Sequence, residues 1–237
     1  MLATLAAFAV LLALGTWQLE RRAWKTALVA ALLERLASSP EPLPPQSGWS
    51  GLAQGDAEFR RVTFTATLLN DREALVYTNG SAFRPDVAGP GYWVMTPARL
   101  ADGGLVIVDR GFVPDARKNP ATRTAGAVAG PITITGALRW PDLRGWFTPG
   151  DDPARNLWFA RDPGAMAAAK GIGPVAPFYV EQEQPVPPGG LPQPGRLAVG
   201  LPNNHLQYAI TWYGLAVVLV GVFAAFAYSQ RNATPQA

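Results

Sequence analysis

Residues 206–228 read LQYAITWYGLAVVLVGVFAAFAY and contain no charged side chain. The stretch is longer than the roughly 20 apolar residues that a membrane-crossing helix needs. Trp212 and Tyr213 lie near its first end and Tyr228 at its second, where amphipathic aromatic side chains favour the membrane–water interface. The pattern predicts a transmembrane helix over residues 205–228.

A second apolar stretch lies near the N-terminus. Residues 2–19 read LATLAAFAVLLALGTWQL, again without a charge, and a helix of that length spans about 27 Å, close to the roughly 30 Å of a bilayer core. We predict a first transmembrane helix over residues 1–19. A cleaved signal peptide is the alternative. It is less favoured because no basic segment precedes the stretch and no small-residue cleavage site follows it.

The composition agrees with a membrane protein and excludes several functional classes. Only 16% of the residues are charged, against about 25% in an ordinary soluble domain. The net charge is +3, but the basic residues are scattered with no run longer than two, so we expect no nucleic-acid partner. The chain has no cysteine and one histidine, His205, which excludes disulfides, thiol catalysis and a histidine-rich metal cluster.

Two spans place both termini on one side of the membrane and the intervening residues on the other. Residues 20–38 continue the first span as a helix, because they contain good helix formers without glycine or proline until SSPEPLPP breaks the pattern. We expect this helix to extend out of the membrane.

Residues 39–204 have the pattern of a β-rich domain. Short runs of β-branched and aromatic residues predict strands over 62–69, 74–78, 92–96, 105–113, 132–138 and 178–181. Asp162 followed by proline predicts the cap of a short helix, and the proline- and glycine-rich residues 184–196 predict a linker back to the membrane. The predicted fold is an α+β membrane protein: two transmembrane helices flank one β-rich extramembrane domain, and residues 229–237 form a C-terminal tail.

Charge alone does not orient the chain in the membrane. Arg21, Arg22 and Lys25 crowd the domain end of the first span, and the positive-inside rule read literally would place the domain in the cytoplasm. That rule holds for short loops, whereas a large domain is translocated largely regardless of its charge. The residues by themselves leave the orientation open.

The end of the first span and the start of the second must reach the same membrane face, because one domain joins them. This topology gathers a cluster at one depth: Trp17, Gln18, Arg21, Arg22, Trp24 and Lys25 with Asn203, Asn204, His205, Tyr208 and Trp212. Helical spacing defines two stripes, one of His205, Tyr208, Ala209 and Trp212 and one of Trp17, Arg21 and Trp24. Gly15 and Gly214 are small enough to allow two helices to approach closely.

Two functions fit this cluster. An imidazole at a membrane boundary is a candidate haem ligand, with arginines for the propionates and aromatic rings to cover the macrocycle. The same residue types also serve as ordinary interfacial anchors without any cofactor. The spacing leaves both open.

The sequence offers no catalytic alternative. The single imidazole lies at the membrane, so a Ser-His-Asp triad in the domain is excluded, and no glycine-rich phosphate loop is present. Asp151 and Asp152 could be read as an acid or metal pair, but between turn residues they are better explained as a solvated turn. We predict that the protein is not an enzyme.

The sequence resembles the Surfeit-one family of cytochrome c oxidase assembly factors in four places. GTWQ at 15–18 with RRAWK at 21–25 is similar to the family's opening motif, and PNNHLQYAITW at 202–212 to the signature entering its second span. RGFVP at 110–114 is similar to a central strand-end motif, and RVT at 61–63 to the start of the first soluble strand. Ala66 departs from the family, which often has glycine there. Arg110 is most simply a structural residue that pairs with a carboxylate or with carbonyls.

The resemblance implies a factor that assists haem a insertion into cytochrome c oxidase subunit I, with a haem a synthase and membrane lipid as further partners. It implies an inner (cytoplasmic) membrane location with the domain facing the periplasm or the outside. Haem a would be held transiently between the spans by His205 as axial iron ligand, by Arg21, Arg22 and Lys25 at the propionates, and by Trp17, Trp24, Tyr208 and Trp212 as walls. The alternative is a haem-free membrane scaffold that stabilises an assembly intermediate of oxidase subunit I.

Overall fold

A computed structural model describes residues 2–81, 83–198 and 203–232. The chain divides into two compact units, Met1–Ala31 with Leu201–Ala237, and Leu32–Gly200. The first is a pair of long helices and the second is a β-rich domain. The predicted fold class is confirmed: the fold is α+β, with two candidate transmembrane helices flanking a β-rich domain.

The helix pair consists of α1, Leu2–Ala37, and α4, His205–Asn232. Each contains an 18-residue window apolar enough to cross a membrane, with a mean hydropathy of 1.8 in α1 and 2.1 in α4. Only 11% of each window is buried inside the protein, so these are not the core helices of a soluble fold. Helix α4 runs past residue 228, where the predicted span ended, and residues 233–237 of the predicted tail lie outside the described residues.

Small residues line the contact between α1 and α4. Gly15, Ala209 and Ala216 are buried there, and a Cβ atom on Gly15 would lie 2.8 Å from the Tyr213 ring. The close approach predicted at Gly15 is therefore confirmed. The prediction for Gly214 is wrong, because this residue is exposed and a Cβ atom there would meet nothing within 4 Å. Gly214 lies one residue beyond Tyr213, which turns it about 100° away around the helix.

Eight strands build the domain: β1 Glu41–Pro42, β2 Arg61–Leu68, β3 Ala74–Thr78, β4 Gly91–Leu100, β5 Leu105–Pro114, β6 Pro131–Arg139, β7 Leu157–Trp158 and β8 Tyr179–Gln184. They pair in the order β1-β2-β6-β8-β5-β4-β3-β7, and β2 also pairs with the second half of β4. This extra pairing closes β2, β6, β8, β5 and β4 into a ring, which makes a small barrel. Strands β1, β3 and β7 extend the sheet outside that ring.

Alternate side chains of the ring strands fill the barrel. They form one apolar cluster: Val62, Ala66, Leu68, Ala98, Val106, Val108, Ile134, Leu138, Phe178 and Val180, together with Trp49, Ala57 and Ala176. Trp49 and Phe178 pack edge to face with ring centroids 5.7 Å apart. The outer face of the wall is covered as well, so β5 and β8 are buried on both faces over most of their length.

Strand β4 is longer than predicted. The prediction ended before Pro97, because proline cannot donate a hydrogen bond to a neighbouring strand. In the structure Pro97 lies between the part of β4 that pairs with β3 and the part that pairs with β2. Its carbonyl accepts a hydrogen bond from the Leu69 amide at 2.8 Å, so the missing donor falls where β4 changes partner.

A short helix, α3, covers part of the outer barrel face. The domain contains two short helices, α2 at Gln54–Ala57 and α3 at Pro163–Lys170. Helix α3 begins as predicted at Asp162, whose Oδ1 accepts a hydrogen bond from the Ala165 amide at 3.0 Å. Met166 of α3 packs with Trp93, Ile107 and Tyr179 on the outer face.

Residues 184–196 are a packed part of the domain rather than the linker that their composition predicted. Gln193 and Phe112 exchange two backbone hydrogen bonds, of 2.8 and 3.0 Å. At Gly111, whose φ is +107°, a Cβ atom would lie 1.9 Å from the Gln193 carbonyl oxygen. Glycine is therefore required where β5 meets this segment. Proline and glycine disfavour regular helices and strands, but they do not prevent a segment from packing. The composition of residues 184–196 therefore predicted irregular backbone correctly and a loose linker wrongly.

The last turns of α1 belong to the domain. Together with the segment after β8 they form what we call the tether cluster: Leu32, Leu36, Phe59, Ala137 and Leu197, with Phe83 packed against it. The Arg196 guanidinium donates a hydrogen bond to the Leu36 carbonyl at 2.9 Å, and that of Arg61 donates to the Ser38 carbonyl at 3.0 Å. The chain thus enters and leaves the domain through one apolar cluster.

Candidate functional site

His205, the first residue of α4, lies beside Gln18 of α1. The distance between His205 Nδ1 and Gln18 Oε1 is 2.7 Å, and both side chains are half-buried. An amide oxygen only accepts hydrogen bonds, so in this arrangement Nδ1 carries the imidazole proton. In the neutral form of the imidazole, the second ring nitrogen, Nε2, then has a free lone pair.

Proteins commonly prepare a histidine for metal binding in this way. A ligating histidine usually donates its other ring N–H to an oxygen, which fixes both the tautomer and the orientation of the ring. A neutral imidazole is also a common axial ligand of haem iron. The donor set at His205 and Gln18 therefore fits a haem iron bound through Nε2.

Two more polar contacts lie on either side of this pair. The hydroxyls of Thr16 in α1 and Tyr213 in α4 share a hydrogen bond of 3.0 Å, and the amide of Asn203, just before α4, donates to Thr26 Oγ1 of α1 at 3.2 Å. Of the cluster that the topology placed at one depth, Gln18 and His205 thus make a contact between the two helices, and Asn203 contacts α1 from the residues that precede α4.

The aromatic residues of that cluster lie mostly away from the helix contact. The side chains of Trp17 and Trp24 are 52% exposed and that of Tyr208 is 56% exposed, whereas Trp212 is half-buried. The exposed rings of Trp17 and Trp24 therefore lie outside the contact, whereas His205 and Ala209 of the α4 stripe lie within it. In a bilayer these outward rings would meet lipid or a bound molecule.

Most of the basic residues in this cluster are exposed, as most of its aromatic side chains are. Arg21 and Arg22 are exposed, and the Arg21 guanidinium lies 4.1 Å from the centroid of the Trp24 ring. Lys25 is half-buried. A guanidinium stacked on an indole keeps its donor edge directed outward, where an anionic group can be bound.

An apolar cleft lies further along the same two helices. Its volume is about 200 Å³, and it is lined by Thr4, Leu5, Phe8, Leu219, Val220 and Phe223. Phe8 precedes Gln18 by ten residues, which is about 15 Å along a helix. Its lining suits a hydrocarbon group rather than a polar one.

The domain contains a buried network of charged side chains that the sequence analysis missed. The Arg161 guanidinium lies 3.1 Å from Asp142, 3.5 Å from Asp109 and 3.5 Å from Glu181, and Arg139 is 3.6 Å from Glu181. One feature of the sequence could have indicated this network: Asp109 is a carboxylate inside the apolar run LVIVDRGFV at 105–113. A charge in such a strand has to find a buried partner, because burying it alone is costly.

Burial dominates the electrostatics of this network. Together with the neighbouring Glu181 carboxylate it raises the pKa of Asp109 to about 7, against the opposing effect of Arg161. Burial likewise raises the pKa of the Tyr179 phenol well above its usual value. Over the part of the chain that the structure describes, no group of three or more His, Asp or Glu side chains is arranged to hold a metal. The network fixes how the outer layer packs on the barrel.

Arg110, from the RGFVP motif, has the structural role that was its simplest interpretation. It is 2% exposed, and its guanidinium donates to Asn70 Oδ1 at 3.0 Å and to the Gly126 carbonyl. Burial lowers the pKa of Arg110 to about 10. The Asn70 amide in turn donates to the Val128 carbonyl at 3.0 Å, so this motif ties β5 to two loops.

The two aspartates at 151 and 152 shape a loop, as the turn interpretation predicted. Asp151 pairs with Arg144 and accepts a hydrogen bond from the Phe159 amide at 2.8 Å. Asp152 Oδ1 accepts one from the Arg155 amide at 3.1 Å. Asp151 is only 13% exposed, so it is a mostly buried loop residue rather than a solvated one.

The chain is similar in sequence to known proteins over most of its length. The model of the SURF1 family matches residues 5–217 of the chain. A SURF1-like protein of Monosiga brevicollis is 35% identical over 219 residues, which cover 89% of this chain and 80% of that protein. Surfeit locus protein 1 of Rattus norvegicus is 36% identical over 212 residues, covering 85% of this chain and 67% of the relative.

The human relative gives the same result. Surfeit locus protein 1 of Homo sapiens is 36% identical over 214 residues, covering 86% of this chain and 69% of that protein. The match includes most of α1, the whole domain and the first part of α4, up to residue 217. The resemblance read from the four motifs is thereby confirmed, and the chain belongs to the SURF1 family.

Proposed function

We propose that this protein is an assembly factor for haem-copper cytochrome c oxidase that assists the insertion of haem a into subunit I. The SURF1 family is known for cytochrome c oxidase assembly. The observation that carries the finer proposal is the 2.7 Å contact between His205 Nδ1 and Gln18 Oε1. This contact prepares the single imidazole of the chain for coordination through Nε2.

Haem a is the cargo in this proposal and is held transiently by α1 and α4. His205 would ligate the iron, and Gln18 would hold the imidazole in the required tautomer. Trp17, Trp24, Tyr208 and Trp212 would cover the macrocycle, and Arg21, Arg22 and Lys25 would bind the propionates. The iron porphyrin supplies the redox centre of the oxidase, and the residues of this chain bind and release it.

The apolar cleft supports a cargo with a hydrophobic tail. Its lining is almost entirely hydrocarbon, and it lies between the same two helices as His205 and Gln18. A tail placed there would leave water together with the macrocycle, which adds binding energy in proportion to the apolar area buried.

The proposed setting is the inner membrane, crossed by α1 and α4, with the domain facing the periplasm or the outside. Length and hydropathy of both helices support two spans. Hydrogen bonds between α1 and α4 favour a retained α1 over a cleaved signal peptide. Oxidase subunit I and a haem a synthase are the proposed partners, with lipid around both helices.

The test is the visible absorption spectrum of the full chain purified from cells that make haem a. We expect the unaltered protein to carry haem a and His205→Ala to lose it, because the substitution removes the proposed iron ligand. Ser229→Ala, at the far end of α4 and exposed, is the control and should keep the haem. A colourless unaltered protein, or haem retained in full by His205→Ala, contradicts haem binding at this site.

A haem-free scaffold remains the second candidate, and the outward aromatic and basic side chains favour it. The exposed faces of Trp17, Trp24 and Tyr208 suit contact with another membrane protein as well as contact with a macrocycle. A scaffold should tolerate His205→Ala with little loss of oxidase haem in cells. If the colourless protein still co-purifies with subunit I, the scaffold is the better description.

A further inference from the structure

One loop of the domain exposes three large apolar side chains. Leu143 is 98% exposed, Trp146 102% and Phe147 98%, so none of them rests on the protein. We call residues 143–148 the apolar loop. Isolated apolar residues are common on protein surfaces, but three in one short loop mark a surface that another phase or molecule covers.

The apolar loop is held in shape by polar contacts at its base and tip. Its tip is a turn in which the Gly145 amide donates to Thr148 Oγ1 at 2.9 Å and the Thr148 amide donates to the Gly145 carbonyl at 3.1 Å. This turn projects Trp146 and Phe147. The Arg144 guanidinium closes the base, because it pairs with Asp151 and donates to the Pro149 carbonyl at 3.1 Å.

The residue just before the loop is anchored to the domain. The Asp142 amide donates to the Arg161 carbonyl at 3.1 Å, and an Asp142 carboxylate oxygen accepts from the Arg161 amide at 3.0 Å. The loop is therefore presented on a fixed support, and little conformational entropy is lost when its side chains are buried.

The loop starts close to the point where the chain enters and leaves the domain. Arg139, four residues before Leu143, stacks on Phe59 and Phe83 at 4.4 and 4.9 Å from the ring centroids. Both phenylalanines belong to or pack against the tether cluster. The four residues from Arg139 to Leu143 span at most about 14 Å, so the apolar loop begins within that distance of Arg139.

The tether cluster is connected in sequence to both candidate spans. Leu197 of the tether cluster precedes the first residue of α4, His205, by eight residues, which reach at most about 28 Å. Because the domain is covalently attached to two candidate spans, its contact with lipid is effectively intramolecular, and the local concentration of lipid around the domain is high. A soluble partner has no such high local concentration.

We propose that the apolar loop inserts Leu143, Trp146 and Phe147 into the interfacial region of the bilayer and so provides a third membrane attachment. Tryptophan prefers the membrane–water interface, and leucine and phenylalanine favour the adjacent hydrocarbon. The convex shape of a projecting turn suits a fluid interface, which needs no complementary groove. Arg144 stays at the base, paired with Asp151, at headgroup level.

The absence of cysteine from the chain makes the test specific. Trp146→Cys and, separately, Phe147→Cys are labelled with an environment-sensitive fluorophore in the full-length protein, reconstituted in lipid nanodiscs. Arg155→Cys is the control, since the Arg155 side chain is 83% exposed on a different loop of the same domain. We expect labels at 146 and 147 to be quenched by nitroxide lipids and shielded from aqueous iodide, and the label at 155 to behave in the opposite way.

A further variant tests whether the apolar side chains are the cause. In a triple variant, Leu143→Cys carries the label, and Trp146→Ser and Phe147→Ser remove the aromatic side chains at the tip of the loop. We expect nitroxide lipids no longer to quench the label at 143. Labels at 146 and 147 that iodide quenches as readily as at 155 overturn the proposal. Labels shielded from iodide but untouched by nitroxide lipid also overturn it, because they show that a protein surface covers the loop.

Discussion

The helix pair and the β-domain treat ionisable side chains in opposite ways. Where α1 meets α4, the single imidazole, His205, has a neutral partner in Gln18. Inside the domain, the buried carboxylates are matched with arginines, as in the Glu73–Arg123 and Glu183–Arg61 pairs. A polar group placed between apolar helices without a counter-ion points to a binding role, whereas matched charges inside a domain have a structural one.

The difference also separates where stability and function reside. Removing one member of a matched buried pair leaves an uncompensated charge, so the domain should be intolerant of such changes. Changes at His205 should act mainly on what the helix pair binds. The following variants test this contrast.

We expect the largest effect from Arg161→Ala. This guanidinium lies between Asp109, Asp142 and Glu181, and its loss leaves the fully buried Asp109 carboxylate without its ion-pair partner and Glu181 with Arg139 alone. We expect the free energy of unfolding to fall by about 3–5 kcal/mol, or the protein to fail to accumulate. Thermal and urea unfolding of the detergent-solubilised chain measures it.

The control for that variant is Arg155→Ala. Its partner Asp152 is 3.5 Å away, but the Arg155 side chain is 83% exposed, so the change should stay within about 0.5 kcal/mol. If both arginine variants unfold alike, the contrast between buried and exposed ion pairs does not hold here.

An intermediate effect is expected from Gly15→Leu in the helix pair. The new side chain would push the Tyr213 ring aside and break its hydrogen bond with Thr16. We expect the pair to lose about 1–2 kcal/mol, measured by unfolding in mixed micelles. Gly214→Leu is the matched control, since a Cβ atom there meets nothing within 4 Å. Equal losses for the two glycines would mean that the helices do not pack through Gly15.

The most specific effect is a pH dependence of stability. Because burial raises the pKa of Asp109 to about 7 from 3.8, the folded state binds this proton more tightly than the unfolded state. The stabilisation is complete below the unfolded pKa and is lost as the pH rises through about 7.

Asp109→Asn removes that titration and keeps an oxygen for the hydrogen bond from the Gly111 amide. Stability measured between pH 4 and 8 should therefore fall less steeply in the variant, with a difference of about 1 kcal/mol or more across the range. Parallel curves for the two proteins would show that Asp109 does not titrate in this window.

The local pattern of the sequence was sufficient for most individual elements. The apolar stretches at 2–19 and 206–228 predicted the two long helices, because hydropathy and length act within one segment. Runs of β-branched and aromatic residues predicted β2, β5 and β6 nearly in full, and Asp162 predicted the start of α3. The sequence also placed His205 and Gln18 at the same depth, since one domain joins the two helices.

Only the tertiary structure decided which of these residues meet. The faces of α1 and α4 that touch are lined by small residues such as Gly15 and Ala209, and the large rings of Trp17, Trp24 and Tyr208 lie outside the contact, because helices in lipid associate through close packing rather than by burying their largest side chains. The barrel closes through pairing of β2 with β4, and the Arg61–Glu183 pair joins residues 122 positions apart. Such contacts depend on the whole fold, so the charges inside the domain and the exposed apolar loop had no readable local signature beyond a carboxylate in an apolar strand.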